Sequence, residues 1–81
     1  MTNEQIYERL NKIFQNVFDE DRLAVRENTT AEDIDGWDSL EHINLIVAIE
    51  DDFGMKFSIS EVTGMKNVGA MVEIIRERAT K

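Results

Sequence analysis

Apolar residues recur at helical spacing in three separate stretches of this chain, and this periodicity constrains its fold more than any other feature. The stripes are Ile6, Leu10, Ile13, Phe14, Val17 and Phe18; Leu40, Ile43, Ile46, Val47 and Phe53; and Val68, Met71, Val72 and Ile75. Each stripe predicts a helix with one side against a core. The 81 residues contain no proline, so none of these helices is expected to be broken.

The second stretch has the clearest predicted boundaries. Asp38 can accept a backbone N–H at its start, and Glu41 three residues later fits a capping box. Gly54 is suited to end it in a left-handed conformation. We therefore expect a helix over Ser39–Phe53. Further apolar residues widen its stripe, so this helix is expected to lie centrally and to touch several neighbours.

The rest of the chain predicts an all-α fold around this helix. The other expected elements are a first helix over about Asn3–Phe18 with a Thr2–Gln5 capping box, a brief helix around Ser60–Gly64, and a last helix from Val68 to about Arg78 capped by Asn67. Asp19–Trp37 breaks the helical period and reads as a long loop pinned by a few apolar residues. The sum is a small four-helix bundle, with three main helices, one short helix and a long first loop, in a single domain over residues 1–81.

A formal net charge of −8 narrows the classes of partner. No Lys or Arg occurs between Arg26 and Lys56, whereas Asp and Glu crowd that segment. Such a surface disfavours nucleic acid and anionic membranes, and it favours partner proteins with basic patches. It is also what a plain solvated face would look like.

No apolar run is long enough to span a membrane, and the N-terminal residues lack the pattern of a signal peptide. A cytoplasmic protein is therefore expected, and nothing in the sequence indicates an oligomer, so a monomer is expected as well.

Metal and catalytic interpretations of the acidic segment are both disfavoured by spacing. With Gly36 at the sixth position of an EF-hand loop, Ala31 and His42 would fall on the first and last ligand positions, which they do not suit. Asp38, Ser39 and His42 contain the side chains of a hydrolytic triad, but on one helix surface they would lack a sheltered pocket and an oxyanion hole. His42 is expected to be an exposed helix residue. No metal ligand and no catalytic residue is predicted.

Two interpretations of Ser39 remain open from the residues alone. It is either an ordinary serine near a helix cap, phosphorylated or unmodified, or the attachment point of a phosphate-linked group. The free N–H groups and the positive dipole end of a helix start favour a phosphodiester. Asp38 and Glu41 would provide negative charges beside Ser39 that a modifying enzyme could bind.

This segment resembles the acyl carrier protein family. The resemblance rests on Asp38-Ser39-Leu40 after Gly36 and on the apolar helix that closes in Ile49-Glu50-Asp51-Asp52-Phe53-Gly54, and it extends to length, acidity and helix order. It implies that Ser39 carries 4′-phosphopantetheine, transferred from coenzyme A by a phosphopantetheinyl transferase. The thiol of that group would hold acyl cargo as thioesters.

The resemblance also implies a carrier rather than an enzyme, serving acyl-loading, acyl-transferring or condensing enzymes in fatty-acid, polyketide or related lipid biosynthesis. The implied docking residues are Asp38, Leu40, Glu41, Glu50, Asp51 and Asp52. An acyl chain could fold back between the helices, and the candidate wall residues, each equally well explained as core, are Ile43, Ile46, Ile59, Val62 and Met65.

Three residues near Ser39 depart from the family pattern. Trp37 stands where carriers of fatty-acid synthesis usually have a small residue, and it is expected to pack the loop onto the helix start. Asn44 occupies a position that is often glutamate, and His42 is uncommon there. These differences suit a specialised pathway carrier at least as well as the housekeeping one. The alternative from another class is a small acidic helical adaptor that binds a basic protein without a cofactor.

Overall fold

The computed structural model describes residues 1–81, and all of its regular secondary structure is helical. Its elements are α1 (Asn3–Val17), a short 3-10 turn (Ala31–Asp33), α2 (Ser39–Phe53), α3 (Ile59–Gly64) and α4 (Val68–Arg78). The predicted all-α bundle of three main helices and one short helix, with a long loop after the first, is confirmed. None of the helices has the length and apolar character needed to cross a membrane.

Local capping explains where most of the helices begin and end. The predicted capping box of α1 is present, and α1 ends at Val17, one residue before the expected Phe18, which is its C-cap. Gly54 ends α2 with a φ of 62°, as a left-handed cap requires. The remaining caps are Ser58 for α3 and Asn67 for α4.

The start of α2 differs from the prediction in one respect. Asp38 Oδ1 accepts the Glu41 N–H at 2.8 Å, as expected of an N-cap. The second bond of the predicted capping box, from the Asp38 N–H to the Glu41 side chain, does not form. The Asp38 N–H donates to the Gly36 carbonyl at 3.0 Å instead. The Glu41 carboxylate is then free to accept from the Asn44 side-chain amide at 2.9 Å.

One side of α2 enters the core and the other does not. The buried residues of α2 are Leu45, Ile46, Ile49 and Phe53. The predicted stripe is therefore wrong in part, because Leu40, Ile43 and Val47 are 68%, 57% and 51% exposed. The helix is apolar around most of its circumference, so its sequence did not determine which side packs against α1. The stripe of α4, by contrast, is buried as predicted.

The long loop is fastened to the start of α4 by backbone hydrogen bonds. The N–H groups of Val68 and Gly69 donate to the carbonyls of Thr29 and Glu27 at 2.9 and 2.8 Å. The loop's predicted apolar anchors, all buried or partly buried, are Leu23, Val25 and Ile34. These contacts fix the path of the chain into the turn that precedes α2.

Candidate functional site

Ser39 is the first residue of α2, and its side chain is exposed. The turn before it is sharp, because Gly36 adopts a φ of 86° and its carbonyl accepts from Asp38 N–H. A helix start leaves N–H groups without intrahelical acceptors and places the positive end of the helix dipole there. The hydroxyl of Ser39 is thus accessible to another protein and lies where a negative group is stabilised.

An open cavity of about 580 Å³ adjoins Ser39, between the starts of α2 and α4 and the second half of α3. Its lining residues are Ala31, Trp37, Asp38, Ser39, His42, Ile43, Val62, Thr63, Met65, Lys66, Asn67 and Met71. Three of the five predicted wall residues, Ile43, Val62 and Met65, are among them. The structure does not bring the other two to this cavity.

Those two residues lie elsewhere for different reasons. Ile46 is 6% exposed and belongs to the buried side of α2. Ile59 is the first residue of α3 and is 85% exposed, so it faces solvent. Neither residue lines the open cavity, and their assignment to the wall of an acyl pocket stays a prediction.

Trp37 packs the long loop onto the start of α2, as the sequence predicted, because its indole donates to His42 and stacks on that ring. It also packs onto the end of α1, which the sequence did not predict. Its ring lies 5.3 Å from that of Phe14 in an edge-on arrangement and 5.9 Å from that of Phe18. Such aromatic pairs stabilise a fold beyond the area they bury. The same indole lines the cavity, so this packing also sets one wall beside Ser39.

His42 is partly buried, and the expectation that it is an exposed helix residue is wrong. Its Nδ1 accepts from Trp37 Nε1 at 3.0 Å, and its Nε2 lies 3.0 Å from the Val62 carbonyl. A neutral ring with hydrogen on Nε2 satisfies both contacts and links α2 to α3. Both nitrogens are therefore engaged away from Ser39. No pattern in the sequence indicated this role, because the partners of the ring come from the loop and from α3.

The short helix α3 is held against α4 by an ion pair that the sequence did not reveal. Arg78 Nη2 donates to Glu61 Oε2 at 2.6 Å, and the Ser58 N–H donates to Glu61 Oε1 at 2.8 Å. The hydrogen bond from Arg78, followed by that from Ser58, lowers the pKa of Glu61 to about 2. This pair therefore helps to position the cavity wall that α3 provides.

Two of the predicted docking acids are engaged within the chain. Glu50 accepts the Phe57 N–H at 2.9 Å and lies 3.9 Å from Lys56 Nζ, and its side chain is only 15% exposed. Asp52 pairs with Arg9 at 2.9 Å. Both carboxylates brace the end of α2 against neighbouring segments, so they present less free charge than the sequence suggested.

The other predicted docking residues lie around an exposed apolar row. Leu40, Ile43 and Val47 follow one another at helical spacing, and Asp51 continues the same side of α2 and is exposed. Glu41 is partly buried beside this row, and Asp38 is exposed but acts as the cap. Val47 is a member of the row that the sequence assigned to the core.

Comparisons with known proteins address the family directly. A family model described as "Phosphopantetheine attachment site" matches residues 8–75. An acyl carrier protein of Lactobacillus acidophilus is 30% identical over 77 residues, which cover 94% of this chain and 95% of that protein. An acyl carrier protein of Clostridium perfringens is 37% identical over 62 residues, covering 76% of this chain and 79% of that protein.

A solved structure agrees with these sequence relatives. The solution NMR structure of a holo acyl carrier protein from Geobacter metallireducens superimposes with a TM-score of 0.83 at 40% sequence identity. The matched region covers 89% of this chain and 83% of that one.

Proposed function

The chain belongs to the acyl carrier protein family, and on that premise we propose that Ser39 is the residue to which its phosphopantetheine is attached. Proteins of this family are carriers rather than enzymes, and their prosthetic group is phosphopantetheine. The observation that carries the proposal is the exposed hydroxyl of Ser39 at the first position of α2, beside an open cavity. We also propose that residues 1–81 form one carrier domain.

The residues around Ser39 fit such a group. The helix start suits the phosphodiester, because it concentrates positive partial charge. The cavity beside it offers both kinds of surface that a chain of amides and methylenes needs. Its polar groups include the Thr63 hydroxyl and the Asn67 amide, and its apolar walls include Ile43, Val62 and Met65.

Attachment requires one substitution at phosphorus. The Oγ of Ser39 would form a bond to the phosphorus that bears the pantetheine chain of coenzyme A, and the bond to adenosine bisphosphate would break. The hydroxyl proton would pass to a base of the transferase, because both ring nitrogens of His42 are engaged elsewhere. Once bound, the group supplies a terminal thiol that holds an acyl chain as a thioester. This chain has no cysteine of its own to do so.

We propose that partner enzymes dock on the exposed side of α2. Leu40, Ile43 and Val47 provide an apolar centre, and Glu41 and Asp51 lie beside it as acids. An apolar centre with a charged rim is what protein interfaces commonly present, and the acidity of the chain would steer basic partners toward it. The partners would be the transferase and the enzymes that load, transfer or condense acyl groups.

The same proposal extends to the pathway and the state of the protein. Acyl cargo would belong to fatty-acid, polyketide or related lipid biosynthesis, and Trp37, His42 and Asn44 suit a specialised pathway at least as well as the housekeeping one. We also propose that the protein is a monomer located in the cytoplasm. Identification of the acyl group on protein purified from its own host would distinguish these pathways.

Intact-mass measurement tests the attachment site. The chain has three serines, so Ser60→Ala is a matched control for Ser39→Ala. Ser60 is exposed at the second position of α3 and does not line the cavity. After incubation with coenzyme A and a broad-specificity transferase, the wild type and Ser60→Ala should gain the mass of one phosphopantetheine. Ser39→Ala should gain none.

Two outcomes would contradict the proposal. A mass gain that persists in Ser39→Ala would place the attachment elsewhere. Failure of the folded wild-type protein to gain mass with any transferase would favour the cofactor-free adaptor instead.

A further inference from the structure

Lys66 is the one lysine or arginine that lines the cavity beside Ser39. It lies in the short connection between α3 and α4, and its side chain is exposed. The long segment from Glu27 to Met55, which includes the turn before Ser39 and all of α2, has no Lys or Arg. Lys66 is therefore an isolated positive charge at this end of an acidic protein.

The other cations around α3 are already paired. Lys56 lies near Glu50, and Arg78 is bonded to Glu61. Arg9 forms the third ion pair of the structure, at the far end of α2. Lys66 takes part in none of them, so its ammonium is available to an anion that enters the cavity.

Resting on the proposed attachment at Ser39, we propose that Lys66 pairs with the phosphodiester there and turns the attached arm across the cavity toward α3. The only carboxylate in the cavity lining is that of Asp38, which already accepts a backbone N–H as the cap of α2. A phosphodiester on Ser39 would add a full negative charge next to that carboxylate. A cation in the same cavity lining, on the connection between α3 and α4, offsets the repulsion and favours an arm that lies in the cavity rather than along the docking side of α2.

A nitroxide on the thiol of the arm gives a direct readout, because the chain has no cysteine that could take the label. Broadening of backbone amide signals by the label then reports where the arm spends its time. The protein is the loaded form without cargo, with loading verified by mass. The variants are Lys66→Met and, as a control with the same loss of charge, Lys12→Met. Lys12 is exposed on α1 and does not line the cavity.

In the wild type, amides of residues 62–67 should be broadened more than those on the exposed side of α2. An exposed ion pair of this kind should shift the population of the arm about two- to fivefold. Lys66→Met should reduce the broadening by that factor, and so should salt at about 1 M, which screens charges beyond about 3 Å. Lys12→Met should match the wild type.

Equal broadening in Lys66→Met and the wild type would overturn the inference, as would an equal loss in Lys12→Met. An effect of Lys66→Met that appears only after a dicarboxylic acyl group is loaded would assign Lys66 to the cargo and overturn it too. Amide spectra of the unloaded variants identify any loss of fold, and unchanged spectra are expected for an exposed lysine. Failure of Ser39 to load would overturn the attachment itself and is detected separately by mass.

Discussion

Gly69→Ala should destabilise the protein although the site is helical. Gly69 is the second residue of α4, and its N–H donates to the Glu27 carbonyl at 2.8 Å. A methyl group at this position would lie 2.8 Å from the same oxygen and 3.2 Å from the Cβ of Glu27. Non-bonded carbon and oxygen atoms do not normally approach so closely, so the loop must move or the hydrogen bond must lengthen.

The competing effects have known sizes. Alanine favours a helix interior over glycine by about 1 kcal/mol, and by less in a first turn. Overpacking typically costs about 1–3 kcal/mol, and a weakened backbone hydrogen bond adds about 1 kcal/mol. The expected net change is a loss of about 1–3 kcal/mol in the free energy of unfolding. Urea denaturation monitored by circular dichroism should show a lower midpoint. The slope of the free energy of unfolding against urea concentration should be unchanged.

Gly64→Ala is the matched control, because a methyl group there meets no atom within 4 Å. Gly64 is the last residue of α3, and its φ is not positive. The same chemical change should leave stability unchanged or raise it by up to about 1 kcal/mol. If Gly69→Ala were as stable as Gly64→Ala, the close contact between the loop and α4 would not constrain the fold.

Three further outcomes are expected from single contacts. The folded pKa of Glu61, about 2, lies below its ordinary value of 4.5, so the stabilisation from its ion pair is complete above pH 4.5 and is lost as the pH falls toward 2. The protection of α3 amides, which is the ratio of the intrinsic exchange rate to the observed one, should therefore fall over that range in the wild type and depend less on pH in Glu61→Gln. Arg9→Met removes a guanidinium that donates to the Asp52 carbonyl, pairs with the Asp52 carboxylate and lies 4.2 Å from the centre of the Phe53 ring. It should lower the free energy of unfolding by about 1–3 kcal/mol in urea melts. Glu41→Lys should weaken binding of a basic partner enzyme, with a smaller effect at high salt, whereas Glu8→Lys on α1 should not.

Each of these three predictions would be contradicted by one result. The same acid dependence of α3 protection in Glu61→Gln would assign the effect to other carboxylates. A urea midpoint of Arg9→Met equal to that of Lys12→Met would mean that the Arg9 contacts add no stability. Equal partner affinity for Glu41→Lys and Glu8→Lys would remove the α2 side from the docking proposal.

Local chemistry made the boundaries of the helices predictable. Asp38 and Gly54 form their capping hydrogen bonds with residues a few positions away in sequence. Their capping roles could therefore be predicted from the neighbouring residues. The capping box at Thr2 and Gln5 was predictable for the same reason. The bond from the Asp38 N–H to the Glu41 carboxylate was predicted but does not form, because that N–H donates to the Gly36 carbonyl and the carboxylate accepts from Asn44.

Tertiary contacts account for what the sequence could not predict. Glu50 and Asp52 looked like free acids because the groups they bind, on Phe57 and Arg9, are distant in sequence or follow a turn. His42 looked exposed because its periodicity says nothing about an indole from the preceding loop. A helix that is apolar on most sides likewise does not reveal which of them its neighbours will cover.

The tryptophan of the site gives the molecule an intrinsic optical signal. Trp37 is the only tryptophan, so all indole emission originates where the loop, α1 and the cavity meet. Emission from an indole shifts with the polarity of its surroundings and with contact to other rings. Entry of an acyl chain into the cavity would replace water at the face of this ring. The wavelength of maximum emission would then distinguish an acyl chain held in the cavity from one exposed to solvent, without any added label.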